Sequence, residues 1–319
     1  MKNIKYDVST FNGFLIKGQL HNAIDYLKEF SSKKKLVKKY QDLFENKSKN
    51  KSNLKTMDII FAYEQYYKNV FWLNIDINES KKLLIKDLSQ LLSVEVIDLD
   101  LMEKNVKGIV EEEGFEFLGG QTQGYYGPYI WKKTIKKIYT IMLPSGKLKF
   151  TVDLMDGFIS KSWLSYLSMG KIGTGGWSKA DGKLCMIKRK GIKKLLSLTV
   201  SGRQRFKLSL THEAQHAYDH DKYPGIDGVN LEYRAKLVEL IYGNAVERLI
   251  WFSSEADSSD NKNTHSFASF KIVSNLSKKI FNTEYIDNYK LWEGKENHIK
   301  KYSLELLEES NESLSKKKF

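Results

Sequence analysis

Apolar residues change their spacing twice along this chain, and that double switch limits the fold more than any other feature. Up to Gly114 they recur at intervals of three and four, as in NAIDYLKEF, KTMDIIFAYEQYYKNVFW and ESKKLLIKDLSQLLS. That is the spacing of helices with one buried face. DLDLMEKNVKGIVEEEG closes the block, with Gly114 placed as the glycine that follows a helix end. Between 115 and 210 glycine turns and alternating apolar runs take over. GFEFLGGQTQGYYGPYIWKKT reads as strand, turn, strand, and KKIYTIMLPSGKLKFTVDLM as a hairpin turning at Pro144-Ser145-Gly146. SWLSYLSMG is a short helix stopped by Gly170, and KIGTGGWSKADGKLCMIKRK returns to strands. From Ser209 helical spacing resumes. A loop, DHDKYPGIDGVN, leads into one long helix, LEYRAKLVELIYGNAVERLIWF, and then a further helix, THSFASFKIVSNLSKKIF. The expected fold class is α+β. A helical N-terminal region (1–114) precedes a domain of mixed or antiparallel sheet plus helices (115–300), and a polar tail (301–319) follows.

Composition narrows the class of protein. With 319 residues, 41% apolar and 29% charged, the chain has globular proportions. Cys185 is the only cysteine, so no internal disulfide ties the fold to an oxidising compartment. No run approaches the roughly 20 apolar residues of a membrane span, and the start lacks the features of a signal peptide. The expected location is cytoplasmic. The net charge of +13 comes largely from lysine, clustered at Ser31–Lys55, at Ile187–Lys194 and in the tail SKKKF. Nucleic acid is therefore a partner to weigh, but it is the less favoured one, because no arginine–aromatic groove accompanies the lysines. DINES (Asp76–Ser80) is not a calcium loop, since Lys81 stands where such a loop needs glycine.

Only six histidines occur, and three of them stand four residues apart in LTHEAQHAYDHD. On a helix, positions i and i+4 share one face. His212 and His216 can thus present their rings to one ion, while Glu213 sits about 100° around the axis, near the ion but not on it. This H-E-x-x-H pattern binds Zn²⁺ and activates water. A third ligand is needed. His220 and Asp219 lie further along the same axis and cannot wrap around the same ion. Glu232 opens a second helix after a loop, so it can approach from another direction. Ala235, one turn on, leaves room for the two helices to come close. Alanine is scarce here, with nine in all, and six of them fall between Ala214 and Ala268.

HEAQH followed by EYRA (Glu232–Ala235) resembles the H-E-x-x-H…E-x-x-A signature of gluzincin-type zinc metallopeptidases. The resemblance covers about 25 residues. It implies a zincin-like catalytic domain in 115–300. It also implies one Zn²⁺ per chain held by His212, His216 and Glu232, Glu213 as catalytic base, and a peptide or protein as substrate. The spacing from His216 to Glu232 is short for the family. Lys236 stands where some members carry an aspartate that supports a ligand, so that support must come from elsewhere.

Further roles follow from chemistry. A tetrahedral oxyanion needs a donor besides the metal. His265, at the start of a helix in NTHSF, is the preferred candidate over Tyr223, Tyr233 and Arg234. Asp219 and Glu239 share faces with the ligands, and each is either an orienting carboxylate or a solvated one. Gly175, Gly176 and Trp177, in GTGGW, fit no phosphate loop. They form either a turn before a strand or a bare backbone edge for a peptide to lie against. The rival reading is a basic nucleic-acid-binding or regulatory protein with a structural or degenerate zinc. Composition does not decide the oligomeric state.

Overall fold

The computed structural model describes residues 6–45, 53–179, 183–187, 200–259 and 263–316. The lysine runs at 188–194 and 317–319 lie outside the described residues. The chain divides into two compact units. The first comprises 1–133 and 157–173, and the second 134–156 and 174–319.

The first unit opens with six helices: α1 (Val8–Ile16), α2 (Leu20–Lys28), α3 (Lys34–Glu45), α4 (Lys55–Tyr67), α5 (Ile77–Leu92) and α6 (Leu99–Glu112). Asp76 caps α5 by accepting from the Asn78 and Glu79 amides, which is the local reason for DINES. Gly114 follows α6 at φ +80°, a conformation that glycine adopts without strain. Four short strands follow: β1 (Glu116–Leu118), β2 (Gln121–Thr122), β3 (Tyr125–Tyr126) and β4 (Tyr129–Trp131).

The chain then leaves for the second unit. There β5 (Lys133–Leu143) and β6 (Gly146–Asp156) turn through Pro144-Ser145. It returns as β7 (Ser160–Lys161) and α7 (Ser162–Leu167). The first unit's sheet has the order β1-β4-β7, with antiparallel pairing at Phe117↔Ile130 and Ile130↔Ser160. Its core is aromatic. Trp163 is fully buried, stacks on Phe71 and donates Nε1–H to the Thr122 carbonyl at 3.0 Å. The boundary expected at Gly114 therefore falls inside this unit. The switch from helix to strand spacing marks a change of local structure, whereas the β5–β6 hairpin is the excursion between units.

The second unit continues with β8 (Gly176–Ser178) and β9 (Leu184–Ile187). Five helices follow: α8 (Val200–Lys222), α9 (Gly228–Tyr242), α10 (Ala245–Glu255), α11 (Thr264–Phe281) and α12 (Glu296–Ser315). The sheet order is β5-β6-β9-β8. β6 and β9 run parallel, with Val152↔Leu184, and β8 pairs antiparallel to β9, with Gly176↔Met186. Gly176 is required there, because a Cβ would overlap the Cys185 carbonyl.

Two expectations are corrected here. The long helix expected from Leu231 breaks at Gly243, and Asn244 starts α10 by accepting from the Glu247 amide. The C-terminal region is not a polar tail. α12 buries Ile299, Leu306, Leu307 and Leu314, a sparse stripe among charged residues. α9 packs against α8, α10, α11 and α12. Every residue from Glu232 to Leu240 is buried, including Glu232, Arg234, Lys236 and Glu239. Charges on a helix enclosed this fully must each find an opposite partner. Among the described residues no helix is long and apolar enough to cross a membrane.

Candidate metal centre

α8 and α9 bring the centre together. His212 and His216 lie one turn apart on α8, their rings nearly perpendicular with centroids 4.5 Å apart. Their Nε2 atoms are 2.9 Å from each other. Glu232, in the second turn of α9, reaches across. Its Oε1 is 3.4 Å from His216 Nε2, and its Oε2 is 3.6 Å from His212 Nε2. Donor atoms held by a tetrahedral zinc at about 2.0–2.1 Å would stand roughly 3.3 Å apart. The three side chains, whose ligand atoms lie within 4.8 Å of one another, can therefore close on one ion with small adjustments. Glu232 Oε2 is buried, and the ring it approaches most closely is that of His265.

The surroundings set the charge states. Burial pushes Glu232 up, but the His265 and His216 rings outweigh it and hold the carboxyl well below the usual range. Burial pushes His216 down, yet the charges of Glu232, Glu213 and Asp219, with the Glu232 hydrogen bond, raise it to about 8. Glu213 is buried beside the first histidine. Desolvation lifts its carboxyl above the ordinary value, against the lowering pull of His212 and His216.

Glu239 supplies the support that Lys236 cannot. Its Oε1 lies 2.6 Å from His212 Nδ1, and its Oε2 pairs with Arg248 on α10. An ionised carboxylate only accepts, so His212 Nδ1 carries the proton and the ring turns Nε2 towards the cluster. Burial pushes Glu239 up, but Arg248, His212 and Lys236 bring it to about 2. Lys236 itself pairs with Glu255, which also accepts from Ser269 Oγ at 2.6 Å.

Asp219 has another task than orienting an imidazole. Arg234 grips it with Nε at 2.9 Å and a terminal nitrogen at 2.8 Å, and Gln215 donates to it at 2.9 Å. It acts on His216 through its charge, and among the described residues His216 Nδ1 has no hydrogen-bond partner. Its three hydrogen bonds from Arg234 and Gln215 fix α8 to α9 instead.

His265, in the first turn of α11, is half-exposed with Nδ1 3.0 Å from Glu232 Oε2. Its pKa is raised, burial pulling it down and the Glu232 carboxylate more than reversing this. The other oxyanion-donor candidates are turned to other work. Tyr233 Oη accepts from Asn275 at 3.0 Å, Tyr223 Oη donates to Asn311 at 3.3 Å, and Arg234 is locked on Asp219. Gly176 and Trp177 lie on β8, the edge of the sheet, with Gly175 just before it. A Cβ on Gly175 would lie 3.0 Å from Ser209 Oγ, so the strand passes the helix one turn before His212.

Comparison of the chain with known family models, with curated proteins and with solved structures finds no match.

Proposed function

We propose that the second unit is a zincin-like catalytic domain of gluzincin type, and that the protein is a zinc-dependent peptide-bond hydrolase. The observation that carries this is the convergence of His212, His216 and Glu232 from two helices, with Glu213 beside them. When bound, Zn²⁺ supplies a Lewis acid and lowers the pKa of a water towards neutrality. Glu213, its carboxyl raised by burial, takes a proton from that water and delivers it to the leaving amine. His265, half-exposed and drawn towards its protonated form, donates to the oxyanion. β8, at the edge of the sheet, would take an extended peptide alongside Gly175, Gly176 and Trp177, which suits substrates of varied sequence.

Elemental analysis of protein purified without chelator tests the reading. About one Zn²⁺ per chain is expected, and the His212→Ala variant loses it. A metal-free parent after growth in zinc-supplemented medium would overturn the assignment.

A further inference from the structure

Glu239 holds a ligand histidine, but a buried carboxylate on its own is a poor clamp, since it can rotate about its side-chain torsions. The second unit answers this with a third helix. Glu239 Oε1 takes the His212 Nδ1 proton and Oε2 takes Arg248, so each oxygen is committed to a different element. Arg248 starts the second turn of α10, where its amide bonds to the Asn244 carbonyl at 3.0 Å. Its guanidinium carbon lies over the Phe252 ring, 5.2 Å from the centroid. Among the described residues Arg248 Nε has no hydrogen-bond partner, and its polar end contributes the grip on Glu239. The Arg248 side chain is 29% exposed, enough to be replaced without opening the core. His216 has no such brace among the described residues, its Nδ1 being unpaired there.

We propose that Arg248 is a positioning residue for the metal centre: it fixes the Glu239 carboxylate, which in turn fixes the orientation and proton of His212. The inference rests on the zinc reading above. The metal therefore depends on α10, an element that contributes no ligand, and on the helix break at Gly243 that swings Arg248 back over α9. The order of the relay matters. Removing Arg248 leaves all three ligands in place but frees the carboxylate behind the first of them.

Zinc affinity of the full chain, measured by competition with a chromophoric chelator, tests this without any substrate. Arg248→Ala should bind zinc about 10–100-fold more weakly than the parent, the scale on which such supporting contacts act. Arg248→Met, which keeps the stem over Phe252 and loses the charge, should weaken it similarly, and Arg248→Lys should recover part of the loss. If Arg248→Ala fails to fold, Arg248→Met carries the test. In ¹⁵N-labelled, zinc-loaded protein the His212 Nδ1–H resonance should be present in the parent and lost in Arg248→Met, a change that a role in packing alone would not cause. Parent-like zinc affinity in Arg248→Met overturns the positioning role and leaves the zinc reading standing. A parent that binds no zinc overturns both.

Discussion

Glu103 in the first unit is 6% exposed and Glu239 in the second is 7% exposed, yet their carboxyls move in opposite directions. Glu103 accepts from Tyr63 Oη at 2.7 Å and from the Gly120 amide at 2.5 Å. Both donors are neutral, so desolvation wins and its pKa rises. Glu239 faces an arginine and a histidine, and falls to about 2. Burial is the same in the two places; the company differs. The first unit meets its buried carboxyl with neutral donors from a helix and a turn. The second unit surrounds α9 with alternating charges, Asp219–Arg234, Lys236–Glu255 and Arg248–Glu239, and in their midst Glu232 faces the rings of His212, His216 and His265. Convergent ligand atoms held in place by ion pairs are what a cation would use.

The comparison is broken most directly at Asp219. Asp219→Ala strands the Arg234 guanidinium, which is 1% exposed, inside the second unit. Leaving such a charge unpaired should cost about 3–5 kcal/mol in chemical unfolding. A loss under 1 kcal/mol would show that the ring of pairs around α9 is not what holds it.

The next effect in size separates the chemistry from the scaffold. Glu213→Gln keeps shape and removes basicity. Zinc content should stay at the parent level while peptide cleavage, read by mass spectrometry on a mixed library, falls about 10²-fold or more. Equal cleavage by parent and variant would place the activity elsewhere. Glu232→Gln should instead lower zinc content, because it weakens a ligand and not a base.

The sequence made some of this legible and hid the rest for physical reasons. THSFASFKIVSNLSKKIF coincides with α11, since a clean apolar face and the Asn263 cap act locally. His212, Glu213, His216 and Glu232 could be singled out because a fixed helical period and a loop decide their placement. Arg248 could not. In the single helix that LEYRAKLVELIYGNAVERLIWF suggests, nine residues rotate the chain by about 900°, which puts Arg248 on the face opposite Glu239 and about 13 Å away. Only the break at Gly243 brings them together. A glycine followed by asparagine and then an apolar run was the available signal. The Asp219–Arg234 pair was not legible, because helical facing alone cannot tell which carboxylate a buried arginine will claim. α12 looked like a tail because its apolar residues are few, and their burial depends on helices distant in sequence.

The smallest expected effects test how each unit treats a carboxyl away from the centre, and they differ in sign with pH. Glu64 on α4 is raised by burial to about 7. A group whose folded pKa exceeds its unfolded value stabilises the fold most below about 4.5, and loses that contribution as pH rises through the folded value. Glu64→Gln should therefore leave stability unchanged near pH 4 and raise it by about 1 kcal/mol at pH 8, with solvent screening of a partly exposed group already allowed for. Glu296 in the second unit behaves in the opposite sense. Burial pushes it up, but it accepts from the Ala245 and Val246 amides at 2.9 and 3.0 Å, and these bonds with Lys300 hold its pKa below the ordinary value. Its contribution is present above about pH 4.5 and vanishes as pH falls through the lowered pKa. Glu296→Gln should thus destabilise at pH 7, by less than about 1 kcal/mol for an anchor at a helix start, and match the parent at pH 3. Denaturant melts of both variants across pH 3–8 would give two difference curves of opposite sign. If Glu64→Gln is neutral at every pH, its carboxyl is hydrated in solution, and the first unit buries its charges less completely than the packing around α4 indicates.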